Sequence, residues 1–510
     1  MRRALLVQEG ELFQQEDAVI PRQTIGGGAA GDAGTYDDDV EVTIVNSHVL
    51  KRDQARRLTL AAVLPGGYGT GHTAPAVVSC TGMQAQPAAI PIEPRQRIDG
   101  SLRVPGSKSI TNRALVVAAL ASGTSRLEGA LIAEDTSVMI GALTRLGFDV
   151  TVDGTTFSVT GHGGAIPAER AELDLVLSGT SLRFLTAVVA LGRGRYRLTG
   201  NERMQQRPIA DLLTALRALG VAAESELKTG CPPVIVEANG VRGGSTRISG
   251  ENSSQYLSAL LMMSPYAREP VVIEVAGELQ SKPFVDLTLA VMAAFGVQVQ
   301  RDGYRLFRIE PAQYRPRDYS IEGDAMAAGY LWAAAAVTGG RVTVENVGRD
   351  SLQGDKRLAD VLSEMGCQVR WDAAGCTVTG PPGGRLQGGR FDLNDMPDQA
   401  QTLAVCALFA DRPVRIDNVS NLRIKETDRL RALAVELERF GARVEEGRDY
   451  LVVHPPERPS ETGATVETYK DHRMAMAFAV AGLRLPGVVI KDPGCVAKTF
   501  PAYFNVLATL

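Results

Sequence analysis

The ten residues Asn421–Leu430, NLRIKETDRL, set Lys425 beside Glu426 and Asp428 beside Arg429. On a surface helix, charges alternating in this way form a solvated face laced with salt bridges. The same residue types also suit proton transfer beside a bound anion. A carboxylate moves the proton, and Arg or Lys grips a phosphate or carboxylate as a fork or a point charge. Further bases of this kind are Lys108, Arg113, Arg183, Arg207, Arg473 and Lys498, and a further acid is Asp398.

The composition restricts what these charges can serve. The chain has 510 residues, which predicts at least two hydrophobic cores. Its formal net charge of −4 excludes a broad electrostatic surface for nucleic acid, so any anion must be held by a local cluster. Six scattered cysteines, with no CxxC and no metal-like pairing with the five histidines, argue against a disulfide framework or a metal site and fit a reducing cytoplasm. No apolar run reaches the roughly 18–20 residues of a membrane helix. The N-terminus lacks the apolar core of a signal peptide.

The bases and acids need elements to position them, and the chain supplies these by repetition. Five segments end an amphipathic helix at glycine and continue into a valine-rich strand, with Gly147, Gly220, Gly296, Gly366 and Gly441 at the junctions, roughly 70–75 residues apart. Each glycine falls where a helix C-terminus needs a left-handed backbone. Six small-residue apolar helices interleave with them, such as GTSLRFLTAVVALG and DAMAAGYLWAAAAVTGG. They are apolar nearly all round, which predicts burial. The expected organisation is six units of two helices each. The last is completed by PAYFNVLATL at the C-terminus and a strand from RIDGSLRVPG near the start. Residues 1–91, rich in Gly and Asp, read as a poorly ordered extension, with Met83 as a candidate start.

The buried helices begin at Gly106-Ser107-Lys108-Ser109, Ser178-Gly179-Thr180, Ser253-Ser254-Gln255, Gly323-Asp324-Ala325, Pro397-Asp398-Gln399 and Asp471-His472-Arg473. Ser, Thr and Asp are ordinary N-caps, and capping alone accounts for each one singly. Repetition places equivalent helix ends on equivalent sides, so six N-termini can converge on one region. Such ends favour phosphate and carboxylate. The nearby bases exceed what capping needs, and Asp398 and Glu426 among them fit acid–base work.

The motifs VPGSKSITNRAL, NERMQQRPI, SSQYLSALLMMSP, SKPFVDLTL, NLRIKETDRL, YKDHRMAMAF and VAKTFPAYF, in order from about residue 92 to the C-terminus, resemble the 5-enolpyruvylshikimate-3-phosphate synthase family of enolpyruvyl transferases. The resemblance implies an α/β fold, a two-domain inside-out α/β barrel of six βαβαββ repeats with the helices inside. One three-repeat domain would span 107–321, and the other 92–106 plus 322–510. It implies transfer of the enolpyruvyl group of phosphoenolpyruvate to the 5-hydroxyl of shikimate 3-phosphate with release of phosphate. It implies no metal or organic cofactor, small-molecule partners only, no nucleic acid or membrane, and a cytoplasmic monomer. By the same resemblance Lys108, Ser109, Arg113, Ser253, Ser254, Gln255, Ser281, Asp398, Asn421 and Lys425 would hold shikimate 3-phosphate. Lys108, Gly179, Arg207, Gln255, Arg429, Arg473 and Lys498 would hold phosphoenolpyruvate. Asp398, Glu426, Lys108 and Lys498 would carry the chemistry, with Asp398 taking the hydroxyl proton and Glu426 serving the methylene carbon. Arg423 and Asp428 read as supporting salt bridges or solvated charges.

Three positions depart from the family's commonest pattern. Leu177 stands where an asparagine precedes the glycine turn, Phe184 where many members have proline, and Phe284 where a tyrosine lies near the sugar phosphate. Leucine donates no amide hydrogen bond to an anion, so weaker affinity for phosphoenolpyruvate is expected. Two other readings stand beside this one. The first is the sister transferase acting on UDP-N-acetylglucosamine, disfavoured by KETDR, RMQQRPI, the SSQ strip and the lack of a cysteine in a comparable loop. The second is a non-catalytic anion-binding relative, disfavoured by retention of Lys108, Asp398, Glu426, Arg429, Arg473 and Lys498.

Overall fold

The computed structural model describes residues 87–251, 253–457 and 463–510. The greater part of the expected extension, residues 1–86 with Met83, lies outside the described residues. Ordered pairing begins within the stretch read as extension, because Ala89–Pro91 is a strand antiparallel to Val489–Lys491.

The fold is mixed α/β, and one sheet pattern recurs. Arg170–Asp174 runs parallel to Arg193–Thr199, which pairs antiparallel with Val234–Asn239, which pairs antiparallel with Ala222–Ser225. Gly244–Ser249, Val271–Ala276, Leu306–Ile309 and Gln300–Asp302 form a second such sheet. Gly389–Asp392, Val414–Asp417, Leu451–His454 and Arg443–Glu446 form a third. Two more sheets keep the pattern but take the first strand from a distant part of the chain. Asp318–Ser320 lies parallel to Ser122–Glu128, and Asp99–Leu102 lies parallel to Arg341–Val344. In the last, Thr465–Val466 is parallel to Val489–Lys491.

These pairings correct one expectation. The strand in RIDGSLRVPG does not complete the C-terminal unit, because its backbone partners are residues 341–344. Ala89–Pro91 takes that place instead. The C-terminal helix Tyr503–Ala508 does approach the expected strand, since a Cβ on Gly100 would meet Leu510 Cδ2 at 2.6 Å.

Two hydrophobic clusters fill the described residues. One is drawn from residues 110–321, the other from 92–104 and 325–507. Each is built around three apolar helices: Lys108–Leu120, Gly179–Val188 and Ser254–Met263 in the first, Ala325–Thr338, Ala400–Cys406 and His472–Gly482 in the second. Ala325–Thr338 is buried along its whole length, as a sequence without a polar face requires. The outer helices are amphipathic and end as the glycine spacing predicts. Gly147, Gly220, Gly296, Gly366 and Gly441 all have φ between +83° and +98°, a region other residues enter only with strain. The chain passes between the clusters twice, and the passages lie side by side. Ser107 N donates to Glu322 O at 2.9 Å, and Asp324 N to Pro105 O at 2.8 Å.

Candidate active site

The six buried helices deliver their N-termini to three adjoining cavities. Lys108 and Ser109, Gly179 and Thr180, Ser253 to Gln255, Asp324, Pro397 and Asp398, and Arg473 all line them. The capping expected from sequence is present at four of these ends, where Ser107, Ser253, Asp324 and Asp471 accept from backbone N–H groups of the first turn. Ser178 departs from it, because its hydroxyl lies 2.8 Å from Ser181 Oγ and caps no backbone group. Asp398 sits in the single turn Pro397–Gln399 ahead of its helix, and its carboxylate is free for other partners.

On the side of the first cluster three buried arginines have no carboxylate partner among the described residues. Arg113 lies one turn into its helix with 2% of its surface exposed. It donates to Thr288 Oγ1 at 2.7 Å, Ser109 O at 2.8 Å and Phe284 O at 3.0 Å. Its guanidinium carbon stands 5.3 Å from the centre of the Phe184 ring, so the phenylalanine that departs from the family pattern packs on this cation. Burial without a counter-charge lowers Arg113 to about 9. Arg183 is lowered to about 10 by burial and then by Arg207. Nε and Nη1 of Arg207 are buried and meet no hydrogen-bond acceptor. Both guanidinium groups press on Gly179, where a Cβ would lie 2.7 Å from either Nη1. This is a concentrated positive site with donors unsatisfied, the condition an anion relieves.

On the other side the cations are paired with acids. Lys425 follows the turn Ser420–Ile424, and Arg429 opens the helix Arg429–Glu438, whose N-cap Asp428 accepts from Arg431 N. Arg429, 1% exposed at its side chain, bonds three carboxylates: Asp471 at 2.7 Å, Glu426 at 2.8 Å and Asp398 at 2.9 Å. Arg473 donates to Asp398 Oδ2 at 2.8 Å, and Lys425 Nζ lies 3.8 Å from Asp398. Lys498 stands 3.1 Å from Glu426 and donates to Leu177 O at 2.8 Å. Lys108, on the side of the first cluster, is also paired, with Asp135 at 3.2 Å. Arg423 bridges Asp428 and Glu446 at 2.9 and 2.8 Å, the supporting role expected of it.

These neighbours set the proton affinities. Burial alone would raise Asp398, but Arg473, Lys425, Arg429 and Lys108 outweigh it and hold the carboxyl well below its usual range. Glu426 is likewise held well below its usual range, burial being outweighed by Lys498, Arg429 and Arg207. Burial and the charge of Arg473 keep His472 neutral. Asp355, in the neighbouring cavity, is raised to about 7 by burial and by Asp398.

The other residues singled out in the sequence also arrive here. Ser281, at φ +58°, begins the helix Lys282–Ala294 and accepts from Asn421 Nδ2 at 3.4 Å, and Gln255 Nε2 donates to Thr180 Oγ1 at 3.2 Å. Ser254 lines the same cavity. Four residues of the site carry no sequence signal that would have singled them out: Asp135, Asp355, Tyr330 and Arg203. Arg203, four residues before Arg207, donates across to the other cluster, to Lys425 O at 2.9 Å and Glu426 O at 3.2 Å. Among the described residues, no three His, Cys, Asp or Glu side chains are grouped to hold a metal ion.

Comparison with known proteins follows the same stretch of chain. The family profile described as EPSP synthase (3-phosphoshikimate 1-carboxyvinyltransferase) matches residues 92–507. A 3-phosphoshikimate 1-carboxyvinyltransferase of Nostoc punctiforme is 48% identical over 412 residues, covering 80% of this chain and 95% of its own. One of Shewanella amazonensis is 46% identical over 424 residues, covering 82% and 98%. The solved structure of EPSP synthase from Acinetobacter baumannii superposes with a TM-score of 0.69 at 23% identity, covering 82% of this chain and 97% of its own. At that identity the superposition speaks for the fold.

Proposed function

The chain belongs to the EPSP synthase family, and we propose that its converging helix ends divide into two subsites for the reaction of that family. The reaction transfers the enolpyruvyl group of phosphoenolpyruvate to the 5-hydroxyl of shikimate 3-phosphate and releases phosphate, a step of aromatic amino-acid biosynthesis.

In this reading Ser109, Arg113, Ser253, Ser254, Gln255, Ser281, Asn421 and Lys425 hold shikimate 3-phosphate. A buried Arg with only neutral partners suits its phosphate, and the hydroxyl and amide groups suit its ring hydroxyls. Lys108, Gly179, Arg207, Gln255, Arg429, Arg473 and Lys498 hold phosphoenolpyruvate, with the unsatisfied donors of Arg207 available to its phosphate. The 5-hydroxyl oxygen attacks C2 of phosphoenolpyruvate as Asp398 takes its proton, and C3 receives a proton from the ammonium of Lys498, which the ionised Glu426 positions at 3.1 Å. The tetrahedral adduct then loses a C3 proton to the same pair and phosphate from C2, which restores the double bond. Fixed cations around the adduct supply the preorganised electrostatics.

One observation carries this division of labour: a single buried guanidinium, Arg429, binds Asp398 and Glu426 at 2.9 and 2.8 Å and so holds the two acids at a set separation. A substrate carboxylate that engages Arg429 and Arg473 competes with Asp398 for them. Asp398 thereby regains basicity when its proton acceptor role begins. Asp398→Asn and Glu426→Gln are the test, each expected to lower kcat by about 10²–10⁴ with unchanged circular dichroism. Wild-type rates in both would refute the assignment.

The recurring sheet pattern and the two hydrophobic clusters support reading the fold as a two-domain inside-out barrel of six βαβαββ units. In this reading residues 107–321 form one domain, and 92–106 with 322–510 form the other, to which the strand Ala89–Pro91 adds an edge. The same reading has the chain act as a monomer in the cytoplasm, and light scattering of the purified protein tests the first half of that.

A further inference from the structure

The helix His472–Gly482 brings Asp471 and Arg473 to the site, and the chain reaches it through an unusual turn. Asp471 N donates to Thr468 O at 2.8 Å, and the two residues between, Tyr469 and Lys470, have φ of +55° and +56°. Two successive positive φ values define a type I′ turn, which Gly, Asn and Asp ordinarily occupy. Tyr and Lys adopt this conformation only where the surroundings force it.

The side chain that bonds the turn is Glu436. Its side chain is wholly buried in the outer helix Arg429–Glu438, and it accepts from Tyr469 OH at 2.7 Å and from Glu467 N at 3.1 Å, with Arg439 Nε 3.1 Å away. Burial and the bond to Glu436 push the Tyr469 phenol up to about 12, so it remains a donor. Seven residues earlier, two turns back on the same helix face, Arg429 bonds Asp471 at 2.7 and 3.2 Å. One helix thus grips the segment 467–471 at both ends, Glu436 before the strained turn and Arg429 after it. Asp471 caps the next helix through Arg473 N at 2.9 Å, and Arg473 reaches Asp398.

We propose that Glu436 is a positioning residue of the reaction, which holds the Tyr469–Lys470 turn in its left-handed form and through it aims Asp471 and Arg473 into the phosphoenolpyruvate subsite. The proposal rests on the assignment of Arg473 to that subsite. Glu436 lines none of the three cavities, and nothing in the motif YKDHRMAMAF points to a residue more than thirty positions away.

The test compares Glu436→Gln and Tyr469→Phe with the wild-type protein by steady-state kinetics and thermal melting. An amide at 436 cannot accept from every donor that the carboxylate serves. Glu436→Gln is expected to raise the KM for phosphoenolpyruvate about 5–10-fold, with the KM for shikimate 3-phosphate within about twofold. Tyr469→Phe removes one bond at a half-exposed phenol and is expected to raise the same KM about 2–5-fold, even where Glu436→Gln folds poorly. Adding Lys470→Gly, which enters the left-handed region without strain, is expected to recover part of the loss. A lowered melting temperature with unchanged KM in both variants, or no recovery with glycine, would overturn the proposal. Arg473→Lys separates the two layers. If it leaves the KM for phosphoenolpyruvate unchanged, the subsite assignment fails and the proposal with it. If it raises that KM while Glu436→Gln and Tyr469→Phe do not, only the positioning role fails.

Discussion

Arg473 Nη2 donates to Asp398 Oδ2 at 2.8 Å, while Arg429 Nη1 donates to the other oxygen of the same carboxylate at 2.9 Å. Both oxygens of the proposed base are therefore engaged by cations assigned to a substrate anion. The carboxyl is held low by these charges against the opposing effect of burial, so catalysis requires the cations to exchange partners. Substitutions around that exchange should separate the two substrates.

Gly179 touches the two guanidinium groups of Arg183 and Arg207, and an added methyl would stand 2.7 Å from each Nη1. Both contacts are with the ends of long side chains, so the fold of Gly179→Ala should survive while the cations are displaced. The KM for phosphoenolpyruvate should rise by about tenfold or more and that for shikimate 3-phosphate by less than about twofold. Equal increases in both would show that the glycine serves the whole cleft.

Leu177 presents its carbonyl, not its side chain, to the site, and Lys498 donates to that carbonyl at 2.8 Å. Leu177→Asn keeps this backbone bond and adds an amide donor. Because the side chain at 177 packs on the first cluster and away from the cavities, the KM for phosphoenolpyruvate should change by less than about twofold. The leucine packs partly against the first hydrophobic cluster, so its loss should lower stability by about 1 kcal/mol. A KM lowered about 2–10-fold would mean that the amide does reach the anion.

Arg203 donates to the backbone carbonyls of Lys425 and Glu426 from the opposite cluster, and so ties one proposed substrate ligand and one proposed acid to Arg207's own segment. Arg203→Ala should lower kcat/KM for both substrates by about tenfold. Arg203→Lys should recover little, because an ammonium group cannot fork onto two carbonyls. Full recovery with lysine would reduce the role to charge.

Asp355 supplies a pH dependence. It is buried, one oxygen has no hydrogen-bond partner, and burial with the charge of Asp398 raises it to about 7. In the unfolded chain an aspartate releases its proton near 4. Between those values the folded protein binds more protons than the unfolded chain, so this group reduces stability progressively as pH rises from about 4 to 7, and the reduction is complete above 7. Asp355→Asn should therefore stabilise the protein more at pH 8 than at pH 5, by about 1–3 kcal/mol in urea denaturation. An equal gain at both pH values would contradict burial beside Asp398 as the cause.

Much of this was legible in the residues. The apolar helices were readable because a sequence such as AMAAGYLWAAAAVT offers no polar face, and the outer helices because only glycine enters the conformation found at Gly147 or Gly366 without strain. Their shared direction made it possible to expect the N-termini in one place, and Lys108, Gly179, Ser254, Asp398 and Arg473 do line adjoining cavities. Strand exchange was not legible. Asp99–Leu102 pairs with Arg341–Val344 across some 240 residues, and nothing in four residues of alternating burial specifies a distant partner. Arg203 and Arg207 look alike in NERMQQR, yet one bonds carbonyls and the other keeps unsatisfied donors, a difference set by which cluster each faces. Asp135 opens an outer helix like any acid in a first turn, and its bond to Lys108 depends on that helix packing beside the buried one.

Enolpyruvyl transfer with Asp398 as the base is tested most directly by phosphate release from phosphoenolpyruvate, measured with and without shikimate 3-phosphate, for the wild-type protein and Asp398→Asn. Release by the wild type is expected only when shikimate 3-phosphate is present, with a loss of about 10²–10⁴ in the variant. Release independent of shikimate 3-phosphate, or a variant as fast as the wild type, would contradict it.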